Sequence, residues 1–527
     1  MQPPSVTGHP RRWAILAVLV VSLLVVVLDN TVLNVALRVL ADPATGLGAT
    51  QAELAWAINA YTLVFAGLLF TSGVLGDRWG RRRVLLGGLA LFGLASLASA
   101  YAQGPGQLIA ARAVMGVGGA AVTPTTLSII SNVFDPRERG RAIGVWAGAV
   151  GIAVALGPVL GGVLLEHFWW GSVFLINVPI VVVGLVAVAV LVPESRDPRP
   201  GRVDVVGAVA SIAGMVALVY GIIDGGEHGF GRPVVWAWIS VGLVVLAGFL
   251  VYERRIGHPS LDVTLFANPR FSAAAAAIGL IFFAAMGLLF LLSFHLQLVH
   301  GLTPLRAGLL MLPFAAAQLL FAPRSAALVN RYGMKAVCAT GLSLSAAAAS
   351  SLLLIGATAP VWTLGAVLFV YGAGMANVVP PATEAVMSTL RREKAGVGSA
   401  VNDTIRQIAT ALGVAVLGSV TAATYRDRLA GSLAPLPAPL RPVAAESISG
   451  AHAVAGDLGP AGAPLVAAAN HAFVTGMHRA AVLATLAVAL GAVVVLAWLP
   501  GRRARQASAA PVAVEVMASE PGGPERG

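Results

Sequence analysis

The sequence predicts an all-α integral membrane protein of fourteen transmembrane helices, arranged as two six-helix bundles with two further helices inserted between them. Three observations carry this: apolar runs recur along the whole chain, basic residues keep to alternate loops, and the first part of the chain is repeated in the last. Of the 527 residues, 57% are hydrophobic and 11% charged, and the mean hydropathy is +0.85. A soluble domain carries about 25% charged residues, so too little solvated surface remains for a soluble enzyme.

The apolar runs lie at roughly 13–37, 52–75, 84–102, 106–130, 141–165, 172–193, 204–224, 233–252, 273–296, 305–328, 336–356, 360–387, 398–422 and 473–499. Each is about 20 residues or more, long enough to cross a hydrocarbon core of about 30 Å as a helix, the form in which the backbone satisfies its own polar groups. The first run continues for a full span without a small-residue cleavage site, so it reads as a retained helix.

Placing the N-terminus in the cytoplasm puts Arg11 and Arg12, Arg78 with Arg81 to Arg83, Arg137 with Arg139 and Arg141, and Arg196 with Arg199 and Arg202 on one side. Arg254, Arg255 and Arg270, then Arg331 with Lys335, Arg391 with Arg392 and Lys394, and Arg502 with Arg503 and Arg505 continue the series. The opposite loops hold Arg38, Arg232, Arg306, Arg426, Arg428 and Arg441. This asymmetry predicts a multi-pass protein of a bacterial cytoplasmic membrane with both termini inside. It also accounts for the net charge of +11 without nucleic acid as a partner.

The resulting organisation is a cytoplasmic tail (1–12), a first bundle (13–193), the insert (204–252), a second bundle (273–499) with a long outside loop near 426–470, and a disordered cytoplasmic tail (500–527). The long loop shares the Ala/Pro/Gly-rich composition of the tail, and neither it nor the insert suggests a role. The single Cys338 excludes an intramolecular disulfide, and the nine histidines show no metal-ligand spacing. The chain reads as a monomer.

The repeat constrains the architecture most. GVLGDRWGRR (73–82) aligns with AALVNRYGMK (326–335), and GVGGAAVTP (116–124) with GAGMANVVP (372–380); ALG recurs at 155–157 and 411–413. Helices 1 to 6 therefore correspond to helices 9 to 14. Two parallel six-helix halves place a substrate site near the midplane between them and work by rocking. ATP is not the energy source by this reading, because Lys335 and Lys394, the only lysines, lack a phosphate-binding glycine loop. An ion gradient remains, with no cofactor.

Charges inside the spans stand out, since an Asp at the centre of a membrane helix costs about 2.5–3.5 kcal/mol on insertion scales. Asp29 lies eight residues from the outer end of helix 1 at Leu37, and Arg112 six residues from the outer end of helix 4, which puts them ~12 and ~9 Å deep. The counterpart of Arg112 in the second half is Leu368. Arg406 is a third such charge, neutralised by Asp403 or Glu384.

Several stretches resemble a known family. GVLGDRWGRRR, with Gly73, Gly76, Asp77, Arg78, Gly80 and Arg81, resembles the loop between helices 2 and 3 of the major facilitator superfamily. There small glycines let helix ends approach, and Asp77 can hold basic groups or a neighbouring helix end in a gating network. ALGPVLGG, with Gly157, Pro158, Gly161 and Gly162, is similar to the proline-containing antiporter motif of its exporters. Pro158 would kink helix 5 and the glycines would permit close packing at the bend; the repeat partner ALGV lacks the proline. LDNTVLNVAL, ARAVMGVGGAA, VFLINVP (173–179), PSLDVTLFANPRF, HLQLVHGLTPLRAGLLMLP and SAVNDTIRQIATALGVAV extend the resemblance, from about Trp13 to Trp498, to the fourteen-helix drug:proton antiporters.

The resemblance implies export of small amphipathic, often cationic drugs in exchange for protons, with no enzymatic activity. It makes Asp29 and Arg112 the coupling pair, against the plain alternative of a static salt bridge, with Glu53, Asp224 and Glu384 as substitute proton carriers. It also makes Asn34, Met115, Asn402 and Arg406 candidates for the substrate cavity. Met115 stands where the family commonly has Gln, Arg38 where it has Pro, Gly171 where Arg is usual and His295 where Tyr is frequent. Two rivals of the same architecture stay open, an exporter of a lipid or natural product and a nutrient symporter. A proton-pumping respiratory subunit is disfavoured, because no lysine lies inside a span.

Overall fold

A computed structural model describes residues 9–41, 46–49, 51–196, 204–256, 263–390 and 395–499. Among them no strand occurs, and fourteen long helical segments follow the apolar runs. The first half contains α1 (Arg12–Ala41), α2 (Gln51–Trp79), α3 (Arg81–Ala100), α4 (Pro105–Val133), α5 (Pro136–His167) and α6 (Asn177–Leu191). The insert is α7 (Val205–His228) and α8 (Pro233–Arg255). The second half contains α9 (Pro269–Phe294), α10 (Leu312–Tyr332), α11 (Met334–Ser351), α12 (Val361–Ala376), α13 (Ala395–Leu429) and α14 (Ala463–Trp498). Thirteen of the segments are long and apolar enough to span a membrane; the remaining one, α5, is 32 residues long.

Local sequence sets many of the boundaries. Proline, whose missing N–H costs nothing at a first turn, opens α4, α5, α8 and α9. The Asp135 and Asn268 side chains cap α5 and α9 by accepting the backbone N–H of Arg137 and Arg270. Proline within a span has two outcomes. α4 continues through Pro124, whereas its repeat partner α12 stops at Ala376 and restarts as a separate helix, Val379–Ser388. Pro380 and Pro381 together remove two consecutive donors there, which one continuous helix over 360–387 cannot absorb.

The repeat is obeyed in the packing. In the first half α2 and α3 pack on α4, and α1 packs on α5 and α6; in the second, α10 and α11 pack on α12, and α9 on α13 and α14. The halves meet through α5 against α10 and α2 against α13, a pair of contacts that exchange under the repeat. The inserted hairpin is peripheral in space: α7 lies along α2 and α13, and α8 along α7. The outer side of α8 leaves Trp236, Val241, Leu243 and Val244 exposed, as a lipid-facing helix must.

The long loop near 426–470 departs from its expected tail-like character. α13 and α14 run for 35 and 36 residues, so each projects roughly 20 Å beyond a 30 Å core. Between their ends fold two short helices, Arg441–Glu446 and Ile448–Asp457. Leu436, Ala444, Ile448, Ala451 and Val454 bury against Tyr425, Leu429, Leu465 and Phe473 as a separate apolar cluster. Tyr425 Oη donates toward the carbonyls of Ala444 and Ser447 at 3.0 and 3.1 Å. The regular spacing of alanine and branched residues supplies this small core; composition alone hid it.

Tyr425→Phe removes the hydroxyl but keeps the ring, a loss of about 1 kcal/mol for a hydrogen bond of this kind. Protease added from the cap side should then cleave within residues 430–462 several-fold faster, while membrane insertion stays unchanged. Equal cleavage of wild type and variant would show that the cap does not depend on this tether.

Candidate functional site

Asp29 and Arg112 meet. Their helices α1 and α4 bring an Asp29 Oδ2 to Arg112 Nη1 ion pair together, with side chains 1% and 0% exposed. The second carboxylate oxygen accepts from Asn177 Nδ2 of α6 at 2.9 Å, and the same amide reaches Ser96 Oγ of α3 at 3.0 Å. Arg112 Nε donates to the Ala57 carbonyl of α2 at 3.2 Å and Nη2 to Asn30 Oδ1 at 3.3 Å. The Tyr61 ring covers the guanidinium at 4.5 Å. Every contact comes from the first half. Because attraction in such a site is largely offset by desolvation, the pair adds little net stability, yet removing one partner leaves a buried charge at a cost of about 3–5 kcal/mol.

Met115 sits beside this pair: its sulfur lies 3.9 Å from Arg112 Nη1 and accepts from Ser99 Oγ at 3.4 Å. A thioether is only a weak acceptor, so Met115 leaves the guanidinium with less competition for Asp29 than a glutamine would. It is fully buried and does not line the cavity, which corrects its candidacy as a substrate contact. Asn402 is corrected likewise; it is buried, accepting from Thr383 Oγ1 at 3.3 Å. The side chains of Asn34, Arg38 and Pro158 lie outside the described residues. Asn177 was not singled out as a site residue, although it lies inside the VFLINVP stretch that matched the family pattern.

The second cluster is at the arginine-rich end. Asp77 accepts from Arg81 Nε and Nη2 at 2.9 and 2.6 Å. It also accepts the backbone N–H of Gly396 at 2.9 Å and of Val397 at 3.2 Å, in the first turn of α13. A carboxylate on the orphan amides and positive dipole end of a helix is favourable, and here it joins the halves. Glycine makes the approach possible: a Cβ on Gly73 would lie 2.5 Å from the Gly396 carbonyl oxygen and 2.7 Å from Ala400 Cβ. Gly76 faces Thr125, and Gly80 adopts φ 109° where a side chain would meet Glu194. Arg78 borders a small crevice shared with Asp204 of the insert. Nearby, Arg139 of α5 pairs with Glu384 of the second half at 3.8 Å, so Glu384 is not the partner of Arg406.

In the helix-5 motif, a Cβ on Gly157 would collide with Thr31 of α1, so this glycine does serve close packing. Gly161 is buried. Gly162 is different: its nearest neighbour would be Leu305 Cβ at 4.0 Å, ordinary contact rather than a forced approach. α5 is helical throughout position 158.

Between the halves lies a cavity of about 810 Å³. Its wall is mostly apolar and aromatic, with Tyr61, Phe65, Phe282, Phe290 and Phe294 among the lining side chains. It borders Asn30, Arg112, Asp403 and Arg406 near its inner part and Glu446, Ser447 and Ile448 of the cap at the far end. The arginine-rich end is shut by Gly73 on Gly396 and by Gly144, where a Cβ would strike the Ala322 carbonyl of α10. Arg406 Nη1 donates to Asp403 Oδ1 at 3.3 Å, which settles its neutralising partner. α7 reaches the wall through Ile223.

A model of the Major Facilitator Superfamily matches residues 19–414. The chain belongs to that superfamily. It is 38% identical over 501 residues to the multidrug efflux pump LfrA of Mycolicibacterium smegmatis, covering 93% of this chain and 97% of the pump. It is 33% identical over 470 residues to the methyl viologen resistance protein SmvA of Salmonella typhimurium, covering 88% and 93%. The human organic anion transporter MFSD10 shares the fold, with a TM-score of 0.58 at 17% identity over 91% of this chain and 100% of the other. The protein is thus a multi-pass membrane transporter and not an enzyme.

Asp77→Asn removes the carboxylate charge that holds Arg81 and the α13 amides, each charge-assisted bond being worth about 1.5–3 kcal/mol. Transport should fall roughly tenfold at equal surface level. Wild-type transport by the variant would remove the gating role.

Proposed function

We propose that this transporter exports small amphipathic drugs, cationic ones among them, across a bacterial cytoplasmic membrane in exchange for protons, by alternating access and as a monomer. Both termini then lie in the cytoplasm, the arginine-rich end is the inner one, and the conformation described is closed inside with its cavity reaching toward the outer cap. The proton gradient is the only energy source required.

The observation that carries the reading is the placement of Asp29 and Arg112. A carboxylate is retained at depth inside one half, ion-paired to an arginine that borders the cavity through Asn30. Burial favours the neutral acid and a neighbouring guanidinium the ionised form. Arg112 held on Asp29 favours the ionised acid over the neutral one. A substrate that draws Arg112 toward Asn30 weakens the pair, and Asp29 then takes a proton from the side to which the cavity is open. Return of Arg112 expels the proton on the other side. Asn177 holds the free oxygen of Asp29 throughout, so the carboxyl keeps its position while its partner changes. Multidrug relatives support the substrate reading, as does the wide apolar cavity, since such pockets discriminate weakly between compounds of similar size.

Asp29→Asn keeps the shape and the Asn177 contact but cannot ionise. In everted vesicles it should insert and bind substrate, yet lose pH-gradient-driven transport at least tenfold; wild-type rates would move the proton to another acid. Pro158→Ala restores a helix donor and should lower export several-fold or raise proton leak, with unchanged export and unchanged leak counting against a role for the motif.

A further inference from the structure

The cavity wall holds a second charged group whose geometry points to a ligand class. Arg406 of α13 is 15% exposed at its side chain and lines the cavity, while its partner Asp403 is 3% exposed. The guanidinium lies against two aromatic rings: its carbon is 4.6 Å from the Phe282 ring centre and 5.3 Å from that of Trp146. Trp146 belongs to α5 of the opposite half and is itself oriented by donating to Thr126 Oγ1 at 3.2 Å. Two aromatic rings and one ion pair hold the planar group in place. Nη1 is bonded to Asp403, Nε is buried without a partner, and Nη2 has neither a partner nor a buried position among the described residues. The next residue, Gln407, is also on the cavity wall.

We propose that Arg406 Nη2 is a subsite for aromatic compounds carrying a neutral hydrogen-bond-accepting oxygen, such as a quinone or an aryl ketone. The assignment rests on the export reading for what enters the cavity. The reason is complementarity. The surrounding wall is mostly apolar and aromatic, so a ring system fills it, and Arg406 Nη2 offers such a ring a donor that has no partner among the described residues. A guanidinium whose charge is already balanced by Asp403 suits a neutral carbonyl, because its binding creates no unpaired buried charge. A dication without an acceptor oxygen gains nothing from this donor. Arg406 therefore separates substrates by the presence of an acceptor rather than by net charge.

The test is equilibrium binding to the purified full-length protein in nanodiscs, without any gradient, using two probes: 1,8-dihydroxyanthraquinone, which carries acceptor oxygens, and methyl viologen, which carries none. Arg406→Lys keeps a cation facing Asp403 and loses the planar donor edge. It should weaken the anthraquinone about tenfold and change viologen binding by less than twofold. The pair Asp403→Asn with Arg406→Gln, which removes both charges together, should show the same selective loss. Equal loss of both probes would assign Arg406 to wall packing, and no loss of either, or a wild type that does not bind the anthraquinone, would also overturn the subsite. Viologen uptake into wild-type everted vesicles under a pH gradient is measured alongside; its absence would refute proton-driven export while leaving the binding comparison intact.

Discussion

Lipid gives helices no hydrophobic reason to associate, so this protein is held together by close backbone approach and by polar groups that must find partners within the chain. Both devices are concentrated at its helix crossings. Gly73 against Gly396 and Gly144 against Ala322 bring the two halves into backbone contact at one end. The deep charges Asp29, Arg112, Asp403 and Arg406 are all engaged by neighbours.

The location of each contact relative to the two halves decides what it can do during rocking. The Asp29–Arg112–Asn177 cluster is built from α1, α3, α4 and α6 with the Ala57 carbonyl of α2, so a rigid-body rotation of one half against the other carries it intact. Asp77 on the α13 amides and Arg139 on Glu384 bridge the halves, and opening of the arginine-rich end must break them. Arg406 over Trp146 also bridges them, so a ligand at this guanidinium lies where relative movement is felt. In the proposed cycle, the first cluster is assigned to proton exchange and the others to locking.

The insert and the cap extend the same logic to the periphery. α7 fills the side where α2 meets α13 and contributes Ile223 to the cavity wall, so the first inserted helix closes the cavity laterally while α8 packs behind it. The cap forms because α13 and α14 outrun the bilayer and need an aqueous-side core of their own, which Tyr425, Ile448 and Phe473 help to supply.

The sequence by itself determined the fourteen segments, their repeat and the family, because apolar length, loop charge and glycine-rich motifs are written locally. It also placed Asp29 and Arg112 at matching depths, since helical rise converts residue number into depth. What it could not determine was azimuth and neighbourhood. Depth does not say which way a side chain turns, so Met115 and Asn402, plausible for the cavity, turn into the packed interior, and Glu384 turns to Arg139 rather than Arg406. Nor could one chain pattern reveal that Asn177 completes the Asp29 site, that Asp77 caps a helix more than 300 residues away, or that Trp146 and Phe282 clamp Arg406. Those relations exist only once helices distant in sequence are packed side by side, because each depends on the rotation of one helix about its axis against another, and that rotation is set by tertiary contacts.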